Sequence, residues 1–203
     1  MAKQPKILAF AGSLREHAYT KRVVKVAAAG AEKAGARVDF IDLRDFPMPI
    51  YDADLQAAGF DENALKFQRL LSEYKGFLIC SPEYNGSLSG ALKNALDWAS
   101  RASDEFKMGE VFGGKVVAIM TASPGGFGGI RCLGHLRSIL SVLGMNVLPS
   151  EIAVGKVGEM FDGDGAEMTD ERMRHLLENL GAALVDMLQK LHGEIDVVSD
   201  TQS

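Results

Sequence analysis

Lys6-Ile-Leu-Ala-Phe-Ala-Gly-Ser13 holds five consecutive apolar residues, Ile7 to Ala11, closed by a Gly-Ser pair. A run apolar at both odd and even positions reads as a strand buried on both faces, the habit of a parallel sheet. Residues 18–34 then read as a helix, with Val23, Val24, Ala27, Ala28 and Ala31 forming its apolar stripe and Gly35 placed as a cap. A second strand follows at 37–43. Strand, turn, helix and strand in direct succession make a βαβ unit, whose two strands are parallel.

The alternation continues along the chain. Phe46-Pro-Met-Pro-Ile-Tyr-Asp52 cannot continue a helix and reads as a loop. A helix is expected at 61–74 and a third buried strand at 76–80. Another helix is expected at 89–100, where Leu88, Ala91, Leu92, Ala95, Leu96 and Ala99 keep the i, i+3, i+4 spacing. A fourth strand at 115–120, a helix at 130–143, a fifth strand at 146–154 and a long helix at 169–191 complete the pattern. In that last helix Thr169 and Arg172 occupy the cap and N3 places. Five strands separated by helices predict an α/β doubly wound domain over 1–192, with helices on both faces of a parallel sheet. The polar, acidic residues 193–203 are expected to be a flexible tail.

Composition narrows the function. The 203 residues are 47% hydrophobic and 24% charged, as in ordinary globular chains, and their length suffices for a core without disulfide or metal staples. Lys plus Arg number 22 and Asp plus Glu 27, a net charge of −5 that offers no general attraction to nucleic acid or anionic lipid. Cys80 and Cys132 make neither a disulfide framework nor a metal pattern. The apolar run at 7–11 is too short for a signal peptide, and no stretch approaches a membrane span, so a cytoplasmic location is expected.

Ligands of doubly wound sheets bind beyond the carboxyl ends of the strands. Three loops leave those ends, all rich in Gly, Ser, Pro or Asn. The first, 12–19, lacks dinucleotide and P-loop glycine patterns, but it carries Ser13, Arg15 and Thr20 at a helix N-terminus. That set suits an anion such as phosphate, and it equally suits plain helix capping by Ser13 and Thr20. The second, Ser81-Pro-Glu-Tyr-Asn-Gly-Ser87, offers a turn at Asn85-Gly86 and an aromatic, Tyr84, that could border a flat heterocycle or pack on a neighbour. The third, 121–129, has four glycines between 125 and 129, which allow close approach of a ligand. His17, His135, His175 and His192 have no metal-like spacing, and His135 and His175 are expected on helix surfaces or at a subunit interface. Cys80 reads as core and Cys132 has no activating motif.

Taken together these segments resemble the NADPH-dependent FMN reductases of the flavodoxin-like superfamily, which include quinone, chromate and azo-dye reductases. The resemblance lies in Gly12-Ser-Leu-Arg15, in Leu43 to Leu55 with its Pro-x-Pro-x-Tyr-Asp-x-Asp-Leu pattern and in Ser81 to Ser87. It lies also in Leu92-Lys-Asn-Ala-Leu-Asp-Trp98 and in Gly128-Gly-Ile-Arg-Cys-Leu-Gly-His-Leu-Arg137. It spans roughly residues 6–190. It implies a five-stranded sheet of order 2-1-3-4-5 and a bound FMN. Ser13, Arg15 and Thr20 would hold its phosphate. Pro82, Glu83, Tyr84, Asn85 and Gly86 would line its ring, with Ser123, Gly125 and Gly126 on the other side. Many members have Ser and Asn where this chain has Ala18 and Thr20; Thr20 keeps a hydroxyl. The resemblance further implies a homodimer or tetramer and hydride transfer from NADPH or NADH through FMN to a quinone-like acceptor, the two substrates taking turns. No side-chain acid or base is required, so no catalytic residue is assigned. One alternative is a flavodoxin-type electron carrier, against which the Arg in the first loop and the modest acidity both speak; a flavin-bearing redox sensor is the other.

Overall fold

The computed structural model describes residues 4–163 and 167–192; the expected tail, 193–203, lies outside them. Strand β1 (Lys6–Ala11) runs parallel to β2 (Arg37–Asp42) on one side and β3 (Gly76–Tyr84) on the other. Its side chains alternate between two cores, as period-2 geometry requires. Ile7 and Ala9 enter the layer formed with α1 (Tyr19–Lys33) and α6 (Glu171–His192). Leu8 and Phe10 enter the layer formed with α3 (Glu62–Ser72), α4 (Gly90–Ser100) and α5 (Ile130–Val142).

The sheet keeps the expected path but not the expected strand count. Its order is β2-β1-β3-β5-β6, where β5 is Val116–Ala122 and β6 is Asn146–Val147; β7 (Ile152–Val154) also pairs with β5, and β4 (Ser87–Leu88) pairs antiparallel with β3. The single fifth strand expected at 146–154 is split. Asn146 faces Val116 and Ile152 faces Met120, so six residues span what four cover on β5. Pro149 falls in the gap and has no N–H for the ladder. Arg137 of α5 holds the bulge, donating from Nη2 to Leu148 O at 2.8 Å and from Nε to Glu151 at 2.8 Å.

Three further expectations change. The third strand does not stop at 80: it continues through Pro82, which faces Ala122 on β5. A short helix, α2 (Ala53–Ala58), follows the Pro-rich segment; Asp52 caps it by accepting from Asp54 N at 2.8 Å. None of its residues is buried, so it left no apolar stripe to read. In front of α6 the cap is Asp170, which accepts from Met173 N at 2.8 Å, and not Thr169.

α1 and α6 lie in backbone contact. A Cβ on Gly30 would stand 2.0 Å from the Glu178 carbonyl oxygen, and one on Gly181 would stand 1.9 Å from the Ala27 oxygen. Only glycine allows two helices to approach so closely. On the opposite face of the sheet Lys115 is 4% exposed and donates from Nζ to Leu71 O at 2.6 Å, closing the last turn of α3. Burial, with Lys75 nearby as a second cause, pushes its pKa down to about 8.

Two outcomes follow for stability. Gly181→Ala forces the helices apart and should cost roughly 3 kcal/mol, the upper part of the overpacking range, in urea unfolding; a midpoint equal to wild type would contradict the contact. Between pH 8 and 10.5 the unfolded chain keeps a lysine proton that the folded chain has released, so Lys115 makes stability rise with pH through that window. The difference between wild type and Lys115→Met should therefore shift in favour of wild type from pH 8 to 10, and a constant difference would refute the assignment.

Candidate functional site

The loop after β1 is anchored before it becomes free. Gly12 N donates to Cys80 O at 2.8 Å. The buried Ser89, N-cap of α4, donates Oγ to Gly12 O and accepts from Leu92 N at 3.2 Å. Ser13 is buried, and its Oγ accepts from Arg15 N at 3.3 Å. The Arg15 side chain is exposed and, among the described residues, makes no ion pair. α1 then starts behind Ala18, with no side-chain cap bond and no acid in its first turn; Lys21 N turns back to Ala18 O at 3.0 Å, while the Tyr19 and Thr20 N–H groups have no partner among the described residues and the positive dipole end stays open.

Thr20 decides between the two readings of this loop. It lies inside the first turn of α1 at 2% exposure, and among the described residues its Oγ1 has no hydrogen-bond partner. Neither Ser13 nor Thr20 caps α1, so the plain capping reading fails. A buried hydroxyl left unpaired costs about 1–3 kcal/mol. A phosphate at this turn would accept its proton, together with those of the Tyr19 and Thr20 N–H groups, with the Arg15 charge on the same loop. These residues therefore fit the phosphate of FMN.

The second loop is a hairpin. β3 and β4 pair Glu83 with Leu88 and Tyr84 with Ser87, leaving Asn85 (φ 52°) and Gly86 (φ 81°) as the two-residue turn. Positive φ at both positions is the requirement of the type I′ turn, which Asn-Gly meets at least cost. Pro82 is buried, whereas Tyr84 is 49% exposed at the tip. Glu83 turns its carboxylate to α5: it accepts from Cys132 N and from Arg131 Nη1, both at 3.1 Å. It thus caps α5 from another element, which fits a negative charge at a helix N-terminus. His135, also on α5, places Nδ1 2.9 Å from Ser87 Oγ.

The third loop leaves β5 and is laced to the segment after β7. Ser123 N donates to Val154 O at 3.1 Å, Val157 N to Ser123 O at 3.2 Å and Lys156 N to Gly125 O at 3.1 Å. Ser123 Oγ accepts from Gly125 N at 3.2 Å, and Thr121 Oγ1 donates to Gly128 O at 2.8 Å. Gly125 and Gly126 are exposed on this tethered frame.

All three loops leave parallel neighbouring strands in register, with Ala11 beside Cys80 and Cys80 beside Met120, so they meet at one edge of the sheet. The sequence reading missed Arg131, whose guanidinium carbon lies 5.7 Å from the centre of the Phe127 ring and which links the hairpin to the Gly-rich loop. Its sequence signals are its place just after that loop and within the Gly128 to Arg137 stretch. Both thiols are buried, and burial raises the pKa of Cys80 and of Cys132, which keeps them protonated and unreactive. A cleft of about 550 Å³ opens behind the first loop, between α1 and the edge strand β2. Its central carboxylate, Asp42, is already bound by Lys21 and Arg44. Burial raises the Asp42 pKa, yet those two bonds outweigh it and hold the group down to about 2.

The sequence pattern of the NADPH-dependent FMN reductases matches residues 5–159. An NAD(P)H-dependent FMN reductase of Pseudomonas aeruginosa is 32% identical over 95% of this chain and 100% of its own. A quinone reductase of Escherichia coli is 34% identical over 90% of this chain and 95% of its own. Among solved structures, the flavoenzyme NAD(P)H:(acceptor) oxidoreductase FerB of Paracoccus denitrificans superposes with a TM-score of 0.77 at 28% identity, covering 92% of this chain and 98% of that one. The chain belongs to the NADPH-dependent FMN reductase family.

Proposed function

We propose that the protein is an FMN-dependent oxidoreductase that takes hydride from NAD(P)H and reduces quinones or similar small acceptors, such as free flavin, azo dyes or metal oxyanions. The observation that carries this reading is the buried Thr20 hydroxyl, unpaired among the described residues, at the uncapped start of α1. When bound, the flavin supplies the redox chemistry, accepting two electrons from the nicotinamide and passing them on. Ser13, Arg15 and Thr20 hold the phosphate. The backbone of Pro82 to Gly86, the ring of Tyr84 and the Ser123, Gly125 and Gly126 loop border the flavin ring. The Glu83 carboxylate is committed to α5, so its contribution to the ring site is its main chain. The tethers of all three loops keep these groups in place before any ligand arrives, which lowers the entropy cost of binding.

A single such edge would hold both substrates against the same bound flavin, so they would bind in turn. Among the described residues no helix is long and apolar enough to cross a membrane. A groove of about 320 Å³ between Leu14, Phe46, Met48 and the Ala91 and Ala95 side of α4 borders the phosphate loop. The exposed Leu14 and Ile50 nearby favour a homodimer or tetramer.

The reading is tested by anaerobic addition of NADPH or NADH to the FMN-loaded protein, followed by steady-state turnover with a quinone. Loss of the flavin absorbance and parallel initial-rate lines are expected; a flavin that stays oxidised would defeat the reading. Arg15→Ala should release FMN on purification, and retention equal to wild type would remove Arg15 from the site. Thr20→Val should act in opposite senses, raising the melting temperature of the FMN-free protein while weakening FMN binding. No change in FMN affinity would show that Thr20 does not touch the phosphate.

A further inference from the structure

Phe127 stands at the centre of the Gly-rich loop with 75% of its surface exposed, so it adds little to either core. Arg131 lies over its ring, 5.7 Å from the centroid. The guanidinium is held on one nitrogen only, by the 3.1 Å bond from Nη1 to Glu83, and its side chain is 63% exposed. Other arginines are used more fully. Arg37 bonds Asp39 through Nε and Nη2, and Arg69 bonds Glu105 through the same two nitrogens. Arg137 spends Nε on Glu151 and Nη2 on the Leu148 carbonyl. Arg131 is therefore oriented by the protein yet keeps, among the described residues, an unpaired N–H edge. It also borders the hairpin, its Cδ lying 3.8 Å from the place a Cβ would take on Gly86.

We propose that Phe127 and Arg131 form the subsite for the 2′-phosphoadenosine end of NADPH, with the adenine on the Phe127 ring and the 2′-phosphate on the free edge of Arg131. This rests on the NAD(P)H reading above. An aromatic face beside a guanidinium fork is matched by a flat base carrying a phosphate on its own ribose, and the fork suits phosphate geometry. The subsite lies between the hairpin and the Gly-rich loop, within the edge where the three loops meet. The Glu83 carboxylate opposes a second negative charge, so the gain from the 2′-phosphate is limited to roughly tenfold in affinity.

Calorimetry on the FMN-loaded protein tests it, with adenosine 2′,5′-bisphosphate and 5′-AMP as probes. The bisphosphate should bind about tenfold more tightly. Arg131→Ala should remove that advantage, Arg131→Lys should restore part of it, and Phe127→Ala should weaken both ligands. The KM ratio of NADH to NADPH should fall with Arg131→Ala, and the flavin absorbance of each variant reports that it is folded and loaded. Equal binding of the two probes to wild type, binding of neither, or an unchanged ratio in Arg131→Ala overturns the subsite. Absence of any NADH or NADPH oxidation by wild type would instead overturn the enzymatic reading on which it rests.

Discussion

Strand β1 has no free side. Ile7 and Ala9 are closed in by α1 and α6, Leu8 and Phe10 by the helices of the opposite layer, and β2 and β3 take up its ladder hydrogen bonds. A strand so enclosed meets solvent only where it ends. Because β1, β3 and β5 are parallel, their carboxyl ends share one edge, and the polar groups that the cores exclude collect there. The bonds from Gly12 to Cys80 and from Ser89 to Gly12 carry the order of the sheet one residue further, into the loop.

α4 supports that edge at two levels. Its N-terminal Ser89 fixes Gly12, and further along Asn94 Nδ2 and Trp98 Nε1 both donate to Pro49 O at 2.8 Å, while Tyr51 N donates back to Asn94 Oδ1 at 2.8 Å. Tyr51 and Phe60 meet the Trp98 ring edge-on. The Asn and Trp of Leu92-Lys-Asn-Ala-Leu-Asp-Trp98 thus act as tethers for the proline-rich segment. The co-occurrence of that motif with Pro47 to Leu55 has a mechanical cause: the two stretches satisfy each other's hydrogen bonds. Lys93 and Asp97 on the same helix form only the exposed pair expected of their spacing, at 2.6 Å.

Most strands and helices were legible because they are buried on regular periods, and the loops were legible because Gly, Pro and Asn break those periods. What stayed hidden depends on contacts across the fold. Pro149 could stand within or beside a strand, and only the pairing with β5 shows that two residues bulge out around it. Pro82 seemed to end β3, yet the strand runs on past it. Asn85-Gly86 announced a turn, but the two-residue strand that makes it a hairpin is too short to leave a pattern. In the first loop, Ser13, Arg15 and Thr20 could be named as candidates in advance; that Thr20 is buried without a partner among the described residues could not. Glu83 was readable as a loop residue, whereas its bond to the start of α5 joins positions 49 apart.

The broken last strand also bears on how the molecule behaves among its own copies. A long, flat sheet edge presents unpaired N–H and C=O groups to any other chain and invites edge-to-edge aggregation. Here one edge offers segments of only two and three residues, β6 and β7, with Pro149 and a bulge between them. The opposite edge, β2, carries the exposed Arg37–Asp39 ion pair, whose charges another strand could cover only by desolvating them. The interruption that shortens the sheet therefore leaves neither border suited to templating a second one.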